Sequence, residues 1–361
     1  MLTKEHTRAL VQAGGAAPSG GNIQPWRVTA GATELEVWLD ERRSTSFLDV
    51  SRYASVLALG SFAENVAIEA RARGLSFSLD IRDQVALDAP MLIFRFASEA
   101  APGAELAGER DDSLAPYIFE RCTNRRPHQG PPASEDELQA LERALGDDAR
   151  LSAVGAGAGL AEVARILAEN DALRLRHAEL HKQMWEEVRF SRKEVEDTRD
   201  GVDVATLELP PGAAEQLKMM TDYQFVMDQM PVEALVASSM PGLLASSHLC
   251  CLSIDEPPTV GAVLAGGRAL QRLWLTATQL QLAIQPWAVL PFLLIRTRHS
   301  DEGGFSAREI EVLSDLHARL VAAFGLSAGT MPLFTFRLAR CGPPSARALR
   351  RDWLSYTTLS E

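Results

Sequence analysis

Cysteine is scarce in this chain, and no cysteine is spaced to hold a metal. The 361 residues include four cysteines, Cys122, Cys250, Cys251 and Cys341, and none has the two- or four-residue spacing of a zinc site. Neighbouring cysteines such as Cys250 and Cys251 rarely form a disulfide. We therefore expect reduced thiols, no metal centre and a cytoplasmic protein.

The sequence also lacks a signal peptide, a membrane-type segment and an excess of positive charge. Residues 1–15 have no apolar core of the signal-peptide kind. The charge-free run 273–295 is interrupted by glutamines and prolines, which fits lipid poorly. The 36 basic and 48 acidic residues give a net charge of −12, which argues against general binding to nucleic acid or anionic membranes. We expect a small-molecule partner instead.

Two similar sets of elements follow one another along the chain. Hydrophobic periodicity predicts a helix at 3–13, a hairpin of strands at 28–30 and 34–39, a helix at 51–73 and a strand at 90–96. A second long helix surrounds Gly266, and a second strand at 332–338 has Pro, Phe and Arg at the same relative positions as the strand at 90–96. Apolar helices resemble one another by chance, but the similarity of the strands favours duplication.

The duplication predicts an α+β fold of two related halves. Each half would contain a largely antiparallel sheet wrapped by helices, and a long central helix from each would pack against the other. The connection 97–112, rich in Gly, Ala, Glu and Asp, marks the division. The predicted halves are residues 1–112 and 113–361.

The second half carries an insertion without a counterpart in the first. We predict a long helix at 160–190, followed by a charged connection at 192–212 and a segment at 213–247 with five methionines. Flexible thioether side chains suit a lid that packs over a ligand, and they equally suit ordinary core filling. We interpret the insertion, about 192–250, as lid-like.

The segment 17–26, here called the polar loop, concentrates residues with special backbone or hydrogen-bonding properties. It contains Pro18, Ser19, Gly20, Gly21, Asn22, Gln24, Pro25 and Trp26. Glycines let a backbone approach a ligand, prolines fix the chain, and short polar side chains donate or accept directed hydrogen bonds. Such a loop can grip a planar polar ligand, and an ordinary turn between a helix and a strand is the alternative.

A second segment, 121–128, is basic on an acidic chain. Three guanidinium groups, those of Arg121, Arg125 and Arg126, lie close together in sequence, and Thr123 adds a hydroxyl. Arginine forks onto phosphate oxygens, so this segment is a candidate anion site. A solvated helix end is the alternative for any short basic run.

These segments resemble motifs of the nitroreductase family, whose members use flavin mononucleotide (FMN). The polar loop is similar at every fixed position to the family signature Ala-Pro-Ser-x-x-Asn-x-Gln-Pro-Trp. The run from Arg121 to Arg125 resembles Arg-x-Ser-x-Arg, which holds the FMN phosphate and ribityl chain in the family. Residues 265–272 resemble the family's central helix, with Arg272 where the family has a flavin-contacting Asn.

The resemblance implies a set of cofactor-binding residues in both halves. A backbone amide around residues 285–287 would lie near the flavin N5, and the basic C-terminal segment would lie near the phosphate. The implied residues are Pro18, Ser19, Gly20, Asn22, Gln24, Arg121, Cys122, Thr123, Arg125, Gln271, Arg272, Gln285, Pro286, Trp287, Arg347 and Arg350.

The order of the motifs differs from that of ordinary nitroreductases, in which the arginine motif precedes the serine–asparagine motif and two chains form a dimer. Here the polar loop lies in the first half and the arginine motif opens the second. One chain would therefore imitate a dimer and hold a single FMN between its halves. This arrangement resembles the two-half, Acg-type branch of the superfamily.

The implied function is an FMN-dependent oxidoreductase. NAD(P)H would reduce the flavin, and a nitroaromatic, a quinone or a similar acceptor would take the electrons, so the cofactor rather than any side chain carries the chemistry. Two alternatives remain open. The protein could store or sequester FMN beneath a closed lid, or it could be a flavin-dependent dehydrogenase of a biosynthetic pathway.

Overall fold

The structure, a computed structural model, describes residues 1–96, 112–300 and 303–360. All but the last residue of the predicted division at 97–112 lies outside these ranges. Helices and strands alternate along the chain, and the strands form two main sheets that are antiparallel except at one edge.

The first main sheet is built from the N-terminal region and completed by the C-terminus. Its strands, in spatial order, are β11 (Thr357–Leu359), β1 (Trp26–Ala30), β2 (Glu34–Leu39), β4 (Leu92–Phe96) and β3 (Phe77–Ile81). The predicted β1–β2 hairpin is confirmed, with Val28 opposite Val37. Strand β11 pairs in parallel with β1, so the last described residues of the chain complete a sheet that its first residues begin.

The second main sheet lies entirely in the region after residue 112. Its strands, in spatial order, are β5 (Arg150–Gly155), β8 (His248–Asp255), β10 (Thr330–Ala339) and β9 (Ala283–Pro286). Every residue of β10 is buried, as its apolar sequence predicts for a central strand. A separate parallel pair joins β6 (Val188–Arg189) to β7 (Val202–Asp203).

Twelve helices occupy the described part of the chain. They are α1 (Lys4–Gly15), α2 (Tyr53–Ala72), α3 (Glu135–Leu145), α4 (Ala158–Arg176), α5 (Ala178–Glu186), α6 (Arg192–Thr198), α7 (Ala213–Met219), α8 (Tyr223–Gln229), α9 (Val232–Leu244), α10 (Val260–Gln279), α11 (Val289–His299) and α12 (Ala307–Phe324). Within the described ranges, no helix combines the length and apolarity that crossing a lipid bilayer requires. The four cysteines are free thiols, as predicted.

The two long helices α2 and α10 pack against each other through glycine, as the sequence predicts for a central pair. A Cβ atom on Gly60 would lie 2.1 Å from the carbonyl oxygen of Leu264, and one on Gly267 would lie 2.2 Å from that of Leu57. The Ser61 hydroxyl donates a hydrogen bond of 2.9 Å to the Gly267 carbonyl. The helices therefore touch backbone to backbone, which only residues without a side chain permit.

The single helix predicted at 160–190 is wrong, because the chain breaks at His177 into α4 and α5. His177 has an extended backbone (ψ 119°), and its ring Nδ1 accepts a hydrogen bond from the Leu180 amide. The side chain thus caps a new helix. Apolar periodicity alone does not reveal such a break, since both helices have a buried face.

The insertion is mostly helical. The charged connection predicted at 192–212 contains α6, and the Met-rich segment folds into α7, α8 and α9. Val226 and Leu235 of this segment form a small core with Ala172 and Leu175 of α4. Strand β8 begins at His248, so the helical part of the insertion ends before it.

Replacement of Gly60 by alanine tests the α2–α10 contact. The new methyl group would overlap a backbone carbonyl that cannot rotate away, so we expect Gly60→Ala to lower the free energy of unfolding by about 1–3 kcal/mol. Urea denaturation measures the change. Gly261→Ala, in the first turn of α10 with open space around it, is the matched control and should be neutral or slightly stabilising. Equal effects of the two variants would contradict the contact.

Candidate functional site

The polar loop has an unusual backbone that its own hydrogen bonds stabilise. Gly21, Asn22 and Gln24 all have positive φ values, of 54°, 55° and 55°. Positive φ is costly for residues with side chains and persists where the surroundings enforce it. Here the Ser19 hydroxyl accepts a 2.9 Å hydrogen bond from the Gln24 amide. The loop is thus a rigid, defined element.

Two distant segments lie against this loop. We call residues 199–208 the strap and residues 342–356 the tail. The Asn22 amide donates to the carbonyl of Gly201 in the strap, at 3.3 Å, and to that of Leu349 in the tail, at 3.0 Å. The side-chain nitrogen of Gln24 donates to the Arg199 carbonyl in the strap at 2.9 Å, and its side-chain oxygen accepts from the Arg351 backbone amide at 2.9 Å.

Residues 121–128, here called the arginine segment, also contact the polar loop and the strap. We call the polar loop, the strap, the tail and the arginine segment together the cluster. The Arg121 guanidinium donates to the Ala16 carbonyl at 3.0 Å, immediately before the polar loop, and lies 4.6 Å above the Trp274 ring. Arg125 donates to the carbonyl and hydroxyl of Thr206 in the strap, at 3.0 and 3.1 Å. From the tail, Arg350 donates to the Asn22 side chain. Segments far apart in sequence therefore meet around the loop.

The cluster concentrates positive charge away from water. Burial, together with the nearby charges of Arg350 and Arg347, lowers the pKa of Arg121 to about 9. Burial likewise lowers the pKa of Arg125 and of Arg350 to about 10. Within the described ranges, none of Arg121, Arg125 and Arg350 forms a salt bridge with a carboxylate. Buried cations of this kind favour an anionic ligand.

The backbone after β9 completes the cluster. Thr123 forms a parallel β-bridge with Ile284, so the arginine segment runs beside β9. The buried Arg337 donates to the Gln285 side chain at 2.9 Å and to the Arg126 carbonyl at 2.9 Å. Arg337 thereby links the Gln285 side chain to the arginine segment.

Comparison with protein-family models finds a match in the N-terminal region, which contains the polar loop. Residues 1–117 match the model of the nitroreductase family. This match covers about the first third of the chain. The mixed helix and sheet architecture is nitroreductase-like and of the α+β class, as the sequence predicts.

One relative matches most of the length of this chain. An uncharacterised protein of Mycobacterium tuberculosis is 29% identical over 300 residues, which are 80% of this chain and 39% of the relative. The chain therefore spans well under half of that protein's length.

Two solved structures illustrate the structural comparisons. A putative nitroreductase from Anabaena variabilis matches with a TM-score of 0.49 and 11% identity. The match covers 94% of this chain and 88% of the Anabaena chain. The FMN-dependent nitroreductase NfnB of Mycobacterium smegmatis, in complex with NADPH, has a TM-score of 0.40 at 14% identity and covers 69% of this chain and 99% of its own.

Most residues predicted to bind a cofactor lie in or beside the cluster. Pro18, Ser19, Asn22, Gln24, Arg121, Thr123, Arg125, Gln285 and Arg350 are placed as described, while Gly20 is exposed and Cys122, Pro286 and Trp287 are half-buried. Arg347 donates to the Phe119 carbonyl at 3.0 Å, so it links the tail to the segment before Arg121. This grouping is structural, and the binding role of each residue stays a prediction.

Gln271 and Arg272 lie instead in the interface of α10 with α2 and α3. Gln271 is fully buried and donates to the Asn65 side chain at 2.6 Å. Arg272 lies 3.2 Å from Glu64 and 2.7 Å from Asp148. Because Glu64 is fully buried, its charge needs cationic partners, and Arg272 serves that ion cluster rather than the polar loop.

The sequence analysis missed two carboxyl groups of the nitroreductase-like chain. Asp171 of α4 accepts a 2.9 Å hydrogen bond from the Trp287 indole, and burial raises its pKa to about 6 against the opposing charge of Arg174. Glu187 lies against the polar loop, since a Cβ on Gly21 would be 2.6 Å from its carboxylate oxygen. Burial raises the pKa of Glu187 as well. No local sequence pattern distinguishes these acids from surface ones.

The raised pKa of Asp171 makes a prediction about stability. A carboxyl group that binds its proton more tightly when folded stabilises the fold below the unfolded pKa of about 4, and this contribution is lost as pH rises through about 6. At pH 8 the ionised carboxylate of Asp171 therefore lowers the free energy of unfolding, and Asp171→Asn removes this effect. We expect Asp171→Asn to gain roughly 1–2 kcal/mol at pH 8 relative to wild type, and little below pH 4. Urea denaturation at both pH values measures this, and a gain independent of pH would contradict the assignment.

Proposed function

We propose that this chain is an FMN-dependent oxidoreductase that holds one FMN between its two halves. The observation that supports it is the group of buried guanidiniums, Arg121, Arg125 and Arg350, that lacks carboxylate partners within the described ranges. The 5′-phosphate of FMN carries the matching negative charge. Arginine binds phosphate oxygens through paired, charge-assisted hydrogen bonds.

The residues around the cluster fit the rest of the cofactor. The half-buried Thr123 offers a hydroxyl beside the arginines, suited to phosphate or ribityl oxygens. The polar loop and the backbone at residues 285–287 lie on either side of the arginine segment, where they would flank the isoalloxazine ring. These residues bind and orient, as a protein does for a cofactor that carries its own chemistry.

The two-half arrangement follows from where the parts come from. The polar loop belongs to the N-terminal region, whereas the arginine segment, residues 285–287 and the tail all come after residue 112. Strand β11 crosses back to pair with β1, which fastens the second region to the first. We infer that residues 1–112 and 113–361 stand in for the two subunits of a dimer, in the manner of the Acg-type branch.

The reaction class follows from the cofactor. FMN, when bound, would pass a hydride from NAD(P)H to an acceptor such as a nitroaromatic or a quinone. The Mycobacterium smegmatis neighbour named above was solved with NADPH, and this donor is proposed for the present chain by analogy. The protein's task is to exclude water and to hold the ring where donor and acceptor reach it in turn.

The strap favours a second candidate, an FMN store with little turnover. Its carbonyls at Arg199, Gly201 and Thr206 accept hydrogen bonds from Gln24, Asn22 and Arg125. A segment that binds these three residues covers the cluster and could limit access of a donor. The insertion as a whole would then act as the predicted lid.

Stoichiometry tests the shared site. We expect purified protein loaded with FMN to contain one flavin per chain, because the arginine cluster and the polar loop each occur once in a shared location. Absorbance of the flavin released by heat, divided by protein concentration, gives the ratio. Two flavins per chain would contradict the shared site, and none after soaking would contradict the proposed function.

Arg125→Ala tests the phosphate assignment. Loss of one charge-assisted hydrogen-bonding group should weaken FMN binding by about 1.5–3 kcal/mol, roughly 10- to 100-fold in Kd. Fluorescence quenching of FMN measures Kd. Arg143→Ala, at an exposed position in the last turn of α3, is the matched control and should leave Kd unchanged. If both variants bind FMN like wild type, the phosphate lies elsewhere.

Rapid mixing separates turnover from storage. If the chain is an oxidoreductase, excess NADPH or NADH should bleach the bound flavin within seconds, and an added quinone should restore its colour. A store predicts flavin that stays oxidised under the same conditions. Stopped-flow absorbance near the flavin's visible maximum follows both events.

A further inference from the structure

Asp171 occupies a junction between three parts of the second region. It lies on α4, accepts a hydrogen bond of 2.9 Å from the Trp287 indole, and shares a side-chain hydrogen bond with Ser239 of α9. The edge of the Trp287 ring lies 3.6 Å from the position of a Cβ on Gly242, also of α9. The carboxyl group of Asp171 therefore connects α4 with α9 of the insertion and with Trp287, the residue after β9.

Trp287 is fixed at its backbone as well as at its ring. Its amide donates to the Thr335 carbonyl at 2.8 Å, and its carbonyl accepts from the Thr335 hydroxyl at 2.6 Å. With the indole bound to Asp171, both ends of the residue are held. Thr335 therefore holds the backbone at Trp287, and Asp171 holds its ring.

We propose that Asp171 is a positioning residue that holds the Trp287 indole in place, and that its negative charge would lower the reduction potential of an FMN bound next to Trp287. The second part rests on the proposed function. The first part concerns contacts between residues of the chain itself and holds with or without a cofactor.

The charged groups that face Asp171 are few. Arg174 lies one turn further along α4 and favours the ionised form, whereas Ser239 of α9 and Trp287 contribute neutral hydrogen-bond donors. Arg174 is also the largest opposing charge for Glu187, so it divides its effect between two carboxyl groups. Burial outweighs these contributions and brings the titration of Asp171 to a pH of about 6.

The electrostatic reason is direct. Reduction of a flavin adds negative charge to its ring unless a proton follows, so a fixed carboxylate nearby opposes reduction. Above pH 6 Asp171 carries that charge, and well below pH 6 it does not. A neutral carboxyl group also accepts a weaker hydrogen bond from an indole than a carboxylate does, so Trp287 is held more firmly above pH 6.

The first experiment uses the apoprotein, so that it does not depend on FMN. The difference in fluorescence between wild type and Trp287→Phe reports on Trp287 alone. We expect this difference to titrate with a midpoint near pH 6 and the titration to vanish when Asp171→Asn is introduced into both proteins. A Trp287 signal without this titration, or one that survives Asp171→Asn, overturns the positioning role.

The second experiment measures the reduction potential of bound FMN at pH 8 and pH 5, with redox dyes as references. We expect Asp171→Asn to shift the ratio of reduced to oxidised flavin at pH 8 about tenfold towards the reduced form, which corresponds to a potential about 30 mV higher for a two-electron couple. At pH 5 the variant and wild type should agree. A shift of equal size at both pH values would indicate a merely structural effect and would overturn the electrostatic role.

Glu169→Gln is the matched control for the second experiment. It removes one negative charge from the same helix, but the Glu169 carboxylate faces Arg319 of α12, 2.6 Å away, and not Trp287. Its flavin potential should equal that of wild type at both pH values, and a shift like that of Asp171→Asn would overturn the assignment. If no FMN binds to any variant, the proposed function fails, while the apoprotein titration still decides whether Asp171 positions Trp287.

Discussion

The rest of this structure depends on positive charge that is withdrawn from water and, within the described residues, forms no salt bridge with a carboxylate. Arg121, Arg125 and Arg350 are desolvated enough to lower their pKa values, yet they make hydrogen bonds to carbonyl and amide oxygens and not to acids. On a chain of net charge −12, acidic side chains are plentiful. Glu208 of the strap favours the charged form of Arg125 and Glu187 lies against the polar loop, but within the described residues neither forms a salt bridge with these three arginines, and such cations favour an anionic ligand.

The fold brings these arginines together by joining distant segments around a rigid centre. The glycine contact of α2 with α10 lets the two helices approach until their backbones touch, which places the end of α1 and the polar loop beside the arginine segment. Strand β11 then joins the edge of the first sheet beside β1. The cluster needs both regions of the chain, because neither supplies both the loop and the cations.

Sequence reasoning found those parts of the fold that have local patterns. The hairpin β1–β2, the helices α2 and α10 and the buried strand β10 all follow from periodicity, and the polar loop follows from its rare combination of residues. The helix break at His177 was not predicted, because it depends on a hydrogen bond from the Leu180 amide to the His177 ring nitrogen. The position of Arg272 escaped because the buried charge of Glu64, a tertiary feature, decides where that guanidinium goes. Asp171 and Glu187 escaped for the same reason, since only folding removes them from water.

The site also contains two carboxyl groups with raised pKa values, those of Asp171 and Glu187. A cavity lined only by arginines would hold an anion firmly and would also favour every reduced, negatively charged state of a flavin within it. Asp171 of α4 and Glu187, which follows α5, share Arg174 as a charged neighbour, and in our proposal the carboxylate of Asp171 opposes that tendency. Their desolvation costs stability, and such a cost persists where a group contributes to function. Under the proposed function, the guanidiniums would bind the phosphate of FMN, and the carboxylate of Asp171 would oppose the addition of electrons to its ring.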